Sequence, residues 1–281
     1  FMIATIKKFP IISFFVLTFV FNWLGIAALV AGIFGSFGEW PLIYDGHTGA
    51  EIRGRRTLLV WTPTIAAMIV AGMSGGRQAV GQLMRQFLVW RVNICWWICA
   101  FVLPVALAVV TVLLFGCLGG AVDLGQSAHW AGVFGLRFVF SLTTGGFGEE
   151  AGWRVFALPR LQHKIGAFWA SIVIGIVWRV WHMAHWTLLG LPLPSILVLC
   201  VAIIGLSVIL TWIYNSTGSL LLVALAHVMF NAIEATLSRS FAAVMPGGYF
   251  MNIFAFIVAV FAAFLVIATK GKLQFPPRGE N

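Results

Sequence analysis

Two adjacent carboxylates interrupt an otherwise apolar stretch of this sequence. Glu149 and Glu150 follow the glycine-rich run Gly145-Gly-Phe-Gly and are followed by Arg154. Inside a bilayer each ionisable side chain costs a few kcal/mol, so such residues usually line a functional cavity. Glu150 and Arg154 are four residues apart and share a helix face, where an ion pair lowers the cost of burying either. Glu149 is rotated by about 100° from Glu150 and can face a different neighbour.

Two later apolar segments carry histidines at helical spacing. One contains Trp178 and, four residues on, His182, and the other contains His227 and, four residues on, Asn231. The last two present an imidazole and an amide to one spot on a helix. Counted from the nearest loop, Glu149, the two histidines and the asparagine lie roughly 14 to 24 Å along their helices. We therefore predict that the four residues meet in a polar cavity near mid-membrane.

The composition indicates which elements must hold these residues. Of the 281 residues, 61% are hydrophobic and 9% charged, and the mean hydropathy is +1.02. About a quarter of an average soluble domain is charged, so an ordinary soluble enzyme is excluded. Continuous apolar runs of about 20 residues predict membrane-spanning helices rather than barrel strands. We predict an all-α polytopic membrane protein, a single integral membrane domain over residues 1–281 with about eight transmembrane helices and a polar intramembrane cavity.

The pattern of apolar runs and basic residues predicts the topology. The expected spans are Ile11–Phe34, Thr57–Met73, Cys95–Ala121, Ala131–Leu161, Ala167–Leu188, Ser195–Tyr214, Leu220–Leu237 and Tyr249–Thr269. Between the second and third spans, Gly75–Val92 is predicted to be an amphipathic interfacial segment. Most lysines and arginines fall on one side of this topology, so both termini are predicted to be cytoplasmic, in the cell (inner) membrane. The net charge is +9, but the basic residues form no patch that is interleaved with aromatic residues. No nucleic-acid partner is therefore expected.

Taken together, the motifs resemble a known family of membrane enzymes. Within residues 145–235 the chain contains, in order, Glu149-Glu150-x-x-x-Arg154, an aromatic-x-x-x-His ending at His182, and His227-x-x-x-Asn231. These resemble the three signature motifs of the CAAX protease and bacteriocin-processing family, which includes the Ras-converting intramembrane endopeptidases. The resemblance covers about half of the chain, and the remaining spans match only in hydropathy.

The second motif departs from the family and can be aligned in two ways. Trp178 stands where the family often has phenylalanine, and Trp181 with His185 fits the same spacing. We favour His182, because the residues before it resemble the family motif more closely.

The resemblance implies a hydrolytic mechanism and a role for each motif residue. It implies that Glu149, with His182 as its partner, activates a water molecule for attack on a peptide carbonyl. His227 and Asn231 would hold the developing oxyanion. The residues expected to be structural or orienting are Glu150, Arg154 and Trp178.

The resemblance also implies a substrate and bears on cofactors. The expected partner is a membrane-bound or prenylated CAAX-type protein or peptide in the lipid bilayer, cleaved near its C-terminus. No metal is expected, because the family implies a metal-free glutamate mechanism, His-Glu-x-x-His is absent and asparagine is a poor zinc ligand. Zinc held by Glu149, His182 and His227 is the alternative.

Two other functions stay open at the level of sequence. A proton- or ion-coupled transporter could use the glutamates and histidines as a relay, although no inverted repeat is evident. A non-catalytic membrane protein conferring bacteriocin self-immunity would carry the same polar cluster.

Overall fold

The computed structural model describes residues 2–30, 56–120, 127–188, 193–242 and 249–275. The helices are α1 (Met2–Lys8), α2 (Pro10–Val30), α3 (Thr62–Arg85), α4 (Ile94–Cys117), α5 (Ser127–Thr143), α6 (Gly145–Glu150), α7 (Leu158–Leu188), α8 (Leu193–Thr217), α9 (Leu220–Ala242) and α10 (Tyr249–Ala268). A 3₁₀ turn (Arg56–Trp61) precedes α3, and a π-helical segment (Ala151–Ala157) joins α6 to α7. No strand occurs in the described ranges, and the predicted all-α polytopic membrane class is confirmed.

Seven helical runs among the described residues are long and apolar enough to cross a membrane, whereas the sequence predicts about eight. The difference arises from one run, residues 130–183, which is 54 residues long. About 20 residues are enough for one crossing. Gly166 divides this run, because its φ of 76° lies in the left-handed region that favours glycine. The parts of the run before and after Gly166 correspond to the predicted fourth and fifth spans.

The predicted ends of the first and third spans, at Phe34 and Ala121, lie outside the described residues. The second span continues into the first part of the segment Gly75–Val92 within α3, with a non-helical kink at Gly76. Helix α3 ends at Arg85, and a 3₁₀ turn over Gln86–Leu88 follows. The membrane side of the termini and the interfacial position of residues 75–92 remain predictions.

The predicted fourth span, Ala131–Leu161, is wrong as a single regular helix. The chain leaves helical geometry at Thr144 (φ −114°, ψ −100°), and the short α6 and the π-helical segment follow. Glycines allow this irregular stretch to approach other backbones closely. A Cβ on Gly146 would lie 2.2 Å from the carbonyl oxygen of Ala224, and one on Gly152 would lie 2.6 Å from that of Pro63. The glycine-rich sequence is therefore irregular in its helical geometry and packs closely against α9 and α3.

Helix α9 lies at the centre of the bundle. It contacts α4, α5, α6 and α8, and its stretch Leu220–Leu237 is the most buried of the seven apolar runs. Outer helices such as α4 expose large apolar side chains, including Ile98 and Leu113. Apolar exposure on this scale is what lipid contact requires of a membrane protein. The central helix is thus the one that carries His227 and Asn231.

Candidate active site

Glu149, His227 and Asn231 converge on one point beside Gly145. A Cβ atom built on Gly145 would lie 2.5 Å from Nδ2 of Asn231, 3.4 Å from Nε2 of His227 and 3.7 Å from Oε1 of Glu149. Helix α6 contributes the glycine and the carboxylate, and α9 contributes the imidazole and the amide. The structure therefore brings together three of the four residues that the sequence predicts to meet. Because glycine has no side chain, the space between these three groups stays open at Gly145.

Glu150 faces a different set of partners from Glu149, as the helical rotation predicts. Its Oε1 lies 2.7 Å from Nδ1 of His227, and its Oε2 lies 3.1 Å from Nε of Arg154. The carboxylate and the guanidinium are fully buried, and the imidazole is 2% exposed. A carboxylate bound to one ring nitrogen fixes the orientation of the imidazole. Glu150 thereby directs Nε2 of His227 towards Gly145, and the predicted ion pair with Arg154 is confirmed.

Arg154 joins the site to the helices around it. Its Cζ lies 5.5 Å from the centre of the Trp178 ring, a cation–π arrangement. Its Nη1 lies 3.4 Å from Oγ of Ser207, which in turn donates to the carbonyl oxygen of Ser171 at 2.8 Å. Arg154 belongs to the π-helical segment, a conformation frequent at functional sites. Sequence reasoning missed both serines, since isolated hydroxyls in apolar helices carry no distinctive pattern.

Trp178 holds the carboxylate of Glu149 directly. Its Nε1 donates to Oε2 of Glu149 at 2.5 Å. The indole ring also lies between two histidines, with its centroid 5.1 Å from that of His227 and 5.9 Å from that of His182. The sequence motif marks only an aromatic position here, but a phenylalanine could not make the hydrogen bond. Because Oε2 is occupied by Trp178, Oε1 is the oxygen of Glu149 that faces Gly145.

His182 lies next to Trp178 at the edge of this cluster. Its Nδ1 is 3.0 Å from the carbonyl oxygen of Trp178, one turn earlier in α7. A carbonyl oxygen only accepts, so this hydrogen bond requires the proton on Nδ1. Trp181 packs edge-on against His182, with ring centroids 4.6 Å apart, and its indole nitrogen donates to Oγ1 of Thr62 in α3 at 3.2 Å. The side chain of His185 lies outside the described ones, so the choice of His182 stays a prediction.

A protein-bound zinc ion needs at least three ligating side chains directed at one place. Within the described ranges, no group of three or more His, Cys, Asp or Glu side chains is arranged to hold one. The alternative zinc set of Glu149, His182 and His227 is not among such groups. Glu150 engages Nδ1 of His227 and Trp178 engages Oε2 of Glu149, so Nε2 and Oε1 are the atoms directed towards Gly145. The expectation that no metal takes part stays a prediction.

Fold and site together define an all-α membrane protein with a buried carboxylate–imidazole–amide centre. Residues 130–233, which include every residue of this centre, match the family model of Rce1-like type II CAAX prenyl endopeptidases. The CAAX prenyl protease 2 of Methanococcus maripaludis is 27% identical over 150 residues, which cover 49% of this chain and 55% of that protein. The chain thus spans about half the length of this curated relative. Both findings support the CAAX protease family, and the resemblance inferred from the motifs is confirmed.

Proposed function

We propose that the protein is an intramembrane endopeptidase that cleaves a peptide bond near the C-terminus of a membrane-associated substrate. The observation that carries the proposal is the convergence of Glu149, His227 and Asn231 beside Gly145. A carboxylate acceptor and two nitrogen groups within 4 Å of one point are the components that hydrolysis of an amide requires. The family match and the relative support a prenylated, CAAX-type protein or peptide as the proposed substrate.

Glu149 acts in this proposal as the general base. Oε1 accepts a proton from a water molecule, and the water oxygen forms a bond to the scissile carbonyl carbon. The carbonyl electrons move onto oxygen, which gives a tetrahedral oxyanion. When the intermediate collapses, the carbon–nitrogen bond breaks and the proton passes from Glu149 to the leaving amine. The hydrogen bond from Trp178 fixes the orientation of the Glu149 carboxylate. His182 assists Glu149 in the proposed removal of the proton from water, with its Nε2 as an acceptor.

Asn231 and His227 hold the oxyanion. The Nδ2 amide of Asn231 is a permanent donor. Nε2 of His227 donates when its ring is protonated, and Nδ1 then donates to the carboxylate of Glu150. Preorganised donors of this kind contribute about 10²–10³ each to the rate. Glu150 and Arg154 act as positioning residues, since Glu150 contacts His227 and Arg154 contacts Glu150 and Trp178.

The proposal is tested by peptide cleavage with the purified full chain in detergent. The substrate is a fluorogenic farnesylated CAAX peptide, and mass spectrometry of the products identifies the broken bond. Loss of a general base typically costs 10²–10⁴ in rate, so Glu149→Gln is expected to reduce kcat by about that factor. Glu234→Gln is the matched control, because it makes the same substitution at a glutamate that has no role in the proposed mechanism. This variant should retain most of the activity.

Three outcomes would contradict the proposal. Cleavage that survives Glu149→Gln would show that Glu149 is not the general base. Equal cleavage of the peptide with and without its farnesyl group would show that the enzyme does not recognise the prenyl group. Proton or solute flux in liposomes that depends on Glu149, without any peptide cleavage, would favour a coupled transporter.

A further inference from the structure

A second concave site lies where α2 and α7 begin, among residues that the proposed chemistry does not use. It is a cavity of about 590 Å³. Three cations, Lys8, Arg160 and Lys164, line it together with His163. Apolar residues including Phe9 and Ile12 form the rest of its wall. The cavity therefore combines a basic region with an apolar one.

The basic region is partly fixed by the fold. Nη1 of Arg160 donates to the carbonyl oxygen of Phe156 at 2.7 Å, and its Cζ lies 3.9 Å from the centre of the Phe156 ring. The Nζ of Lys8 lies 5.2 Å from the centre of the Phe9 ring. These contacts orient two of the cations, and neither contact involves a carboxylate. The acidic residues of the described ranges are Glu149, Glu150 and Glu234, and none of them lines the cavity.

The apolar region faces outward at the start of a membrane-spanning helix. Phe9 is 45% exposed and Ile12 is 61% exposed, and the run Pro10–Ala28 that follows is apolar enough to cross a bilayer. A ligand that fits both regions carries an anionic group next to hydrocarbon. Basic pockets between transmembrane helices at the membrane surface are suited to anionic lipid head groups.

We propose that this cavity binds the phosphate head group of an anionic phospholipid, with its acyl chains against Phe9 and Ile12. The phosphate contacts Arg160, Lys8 and Lys164, with Arg160 as the preoriented donor. This site is independent of the proposed peptidase activity. General attraction of basic loops to a negatively charged membrane would involve every exposed cation at the surface, whereas this proposal concerns three particular cations.

The test measures lipid binding to the purified full chain in neutral detergent. Phosphatidylglycerol or phosphatidylcholine is added, and bound lipid is counted by native mass spectrometry while thermal unfolding is followed in parallel. Each cation near an anionic head group changes affinity about fivefold. Lys8→Gln/Lys164→Gln should therefore weaken phosphatidylglycerol binding about 25-fold, and adding Arg160→Gln should weaken it roughly 100-fold. The lysine pair alone keeps the test valid if the triple variant misfolds.

The control is Arg77→Gln/Arg85→Gln, which removes two exposed arginines of α3 outside the cavity. Support consists of preferential binding of phosphatidylglycerol, its loss in the lysine variant and its retention in the control. Equal binding of the two lipids, or equal loss in the control, would overturn the proposal. Inorganic phosphate or an acidic peptide that displaces the lipid at similar concentration would also overturn it, because the site would then recognise that soluble anion.

Discussion

Replacing Gly145 by alanine tests the geometry of the candidate site with a single methyl group. The added Cβ would lie 2.5 Å from Nδ2 of Asn231, whereas ordinary van der Waals contacts begin at about 3.4 Å. The amide must therefore move by about 1 Å. It can do so, because Nδ2 is the end of a side chain rather than backbone. The backbone at Gly145 also lies outside the left-handed region, so alanine fits it without strain.

The expected effect is on catalysis and not on folding. A misplacement of about 1 Å at a positioned group can cost about 10² in rate, and loss of one oxyanion donor costs about 10²–10³. We expect Gly145→Ala to lower kcat for the farnesylated peptide about 100-fold with little change in KM, because the amide acts on the transition state. Alanine is about 1 kcal/mol better than glycine within a helix, so the unfolding temperature should not fall.

Two comparisons make the result interpretable. Gly135→Ala adds a methyl group in α5 with nothing within 4 Å and should leave activity unchanged. The double variant Gly145→Ala/Asn231→Ala should be no less active than Asn231→Ala, because both changes remove the same donor. Near-normal activity in Gly145→Ala would refute the inferred geometry. Additive losses in the double variant would show that the methyl group acts through something other than Asn231.

The remaining predictions concern the groups that orient the site. Trp178→Phe keeps the ring but removes the donor to Glu149, so kcat should fall about tenfold or more, and an unchanged rate would contradict the positioning role. Arg154→Met leaves the buried Glu150 without its cation and should destabilise the fold by about 3–5 kcal/mol, measured by thermal unfolding, with only partial recovery in Arg154→Lys. A chelator should leave peptide cleavage unchanged, and a loss that zinc restores would establish a metal centre instead.

The bundle itself was predictable because membrane-spanning helices leave a strong signal in sequence. A run of about 20 apolar residues has few alternatives in a bilayer, where each backbone polar group needs an internal partner. The exception was the fourth span. Its breaks at Thr144 and in the π-helical segment arise from tertiary contacts, such as that of Gly146 with the carbonyl oxygen of Ala224, and hydropathy does not record them. The run of glycines before Glu149 was the available signal.

The site was predictable to the extent that helical spacing determines it. The four-residue spacings placed Glu150 beside Arg154 and brought His227 and Asn231 to the same point, and both arrangements are observed. Spacing within one helix says nothing about a partner on another helix. The hydrogen bond from Trp178 to Glu149 and the contact between Glu150 and His227 depend on how the helices pack, so only the structure reveals them.

The two adjacent glutamates are chemically identical, but they lie in different surroundings. Successive helical residues point about 100° apart, so one carboxylate receives the indole of Trp178 and the other receives Arg154 and His227. Both oxygens of the fully buried Glu150 carboxylate face charged or polar partners, the arginine and the histidine, rather than Gly145. Glu149 has one oxygen held and the other beside Gly145, next to the two groups suited to an oxyanion. The contacts of each carboxylate therefore support the proposed assignment of Glu149 as the base and Glu150 as a positioning residue.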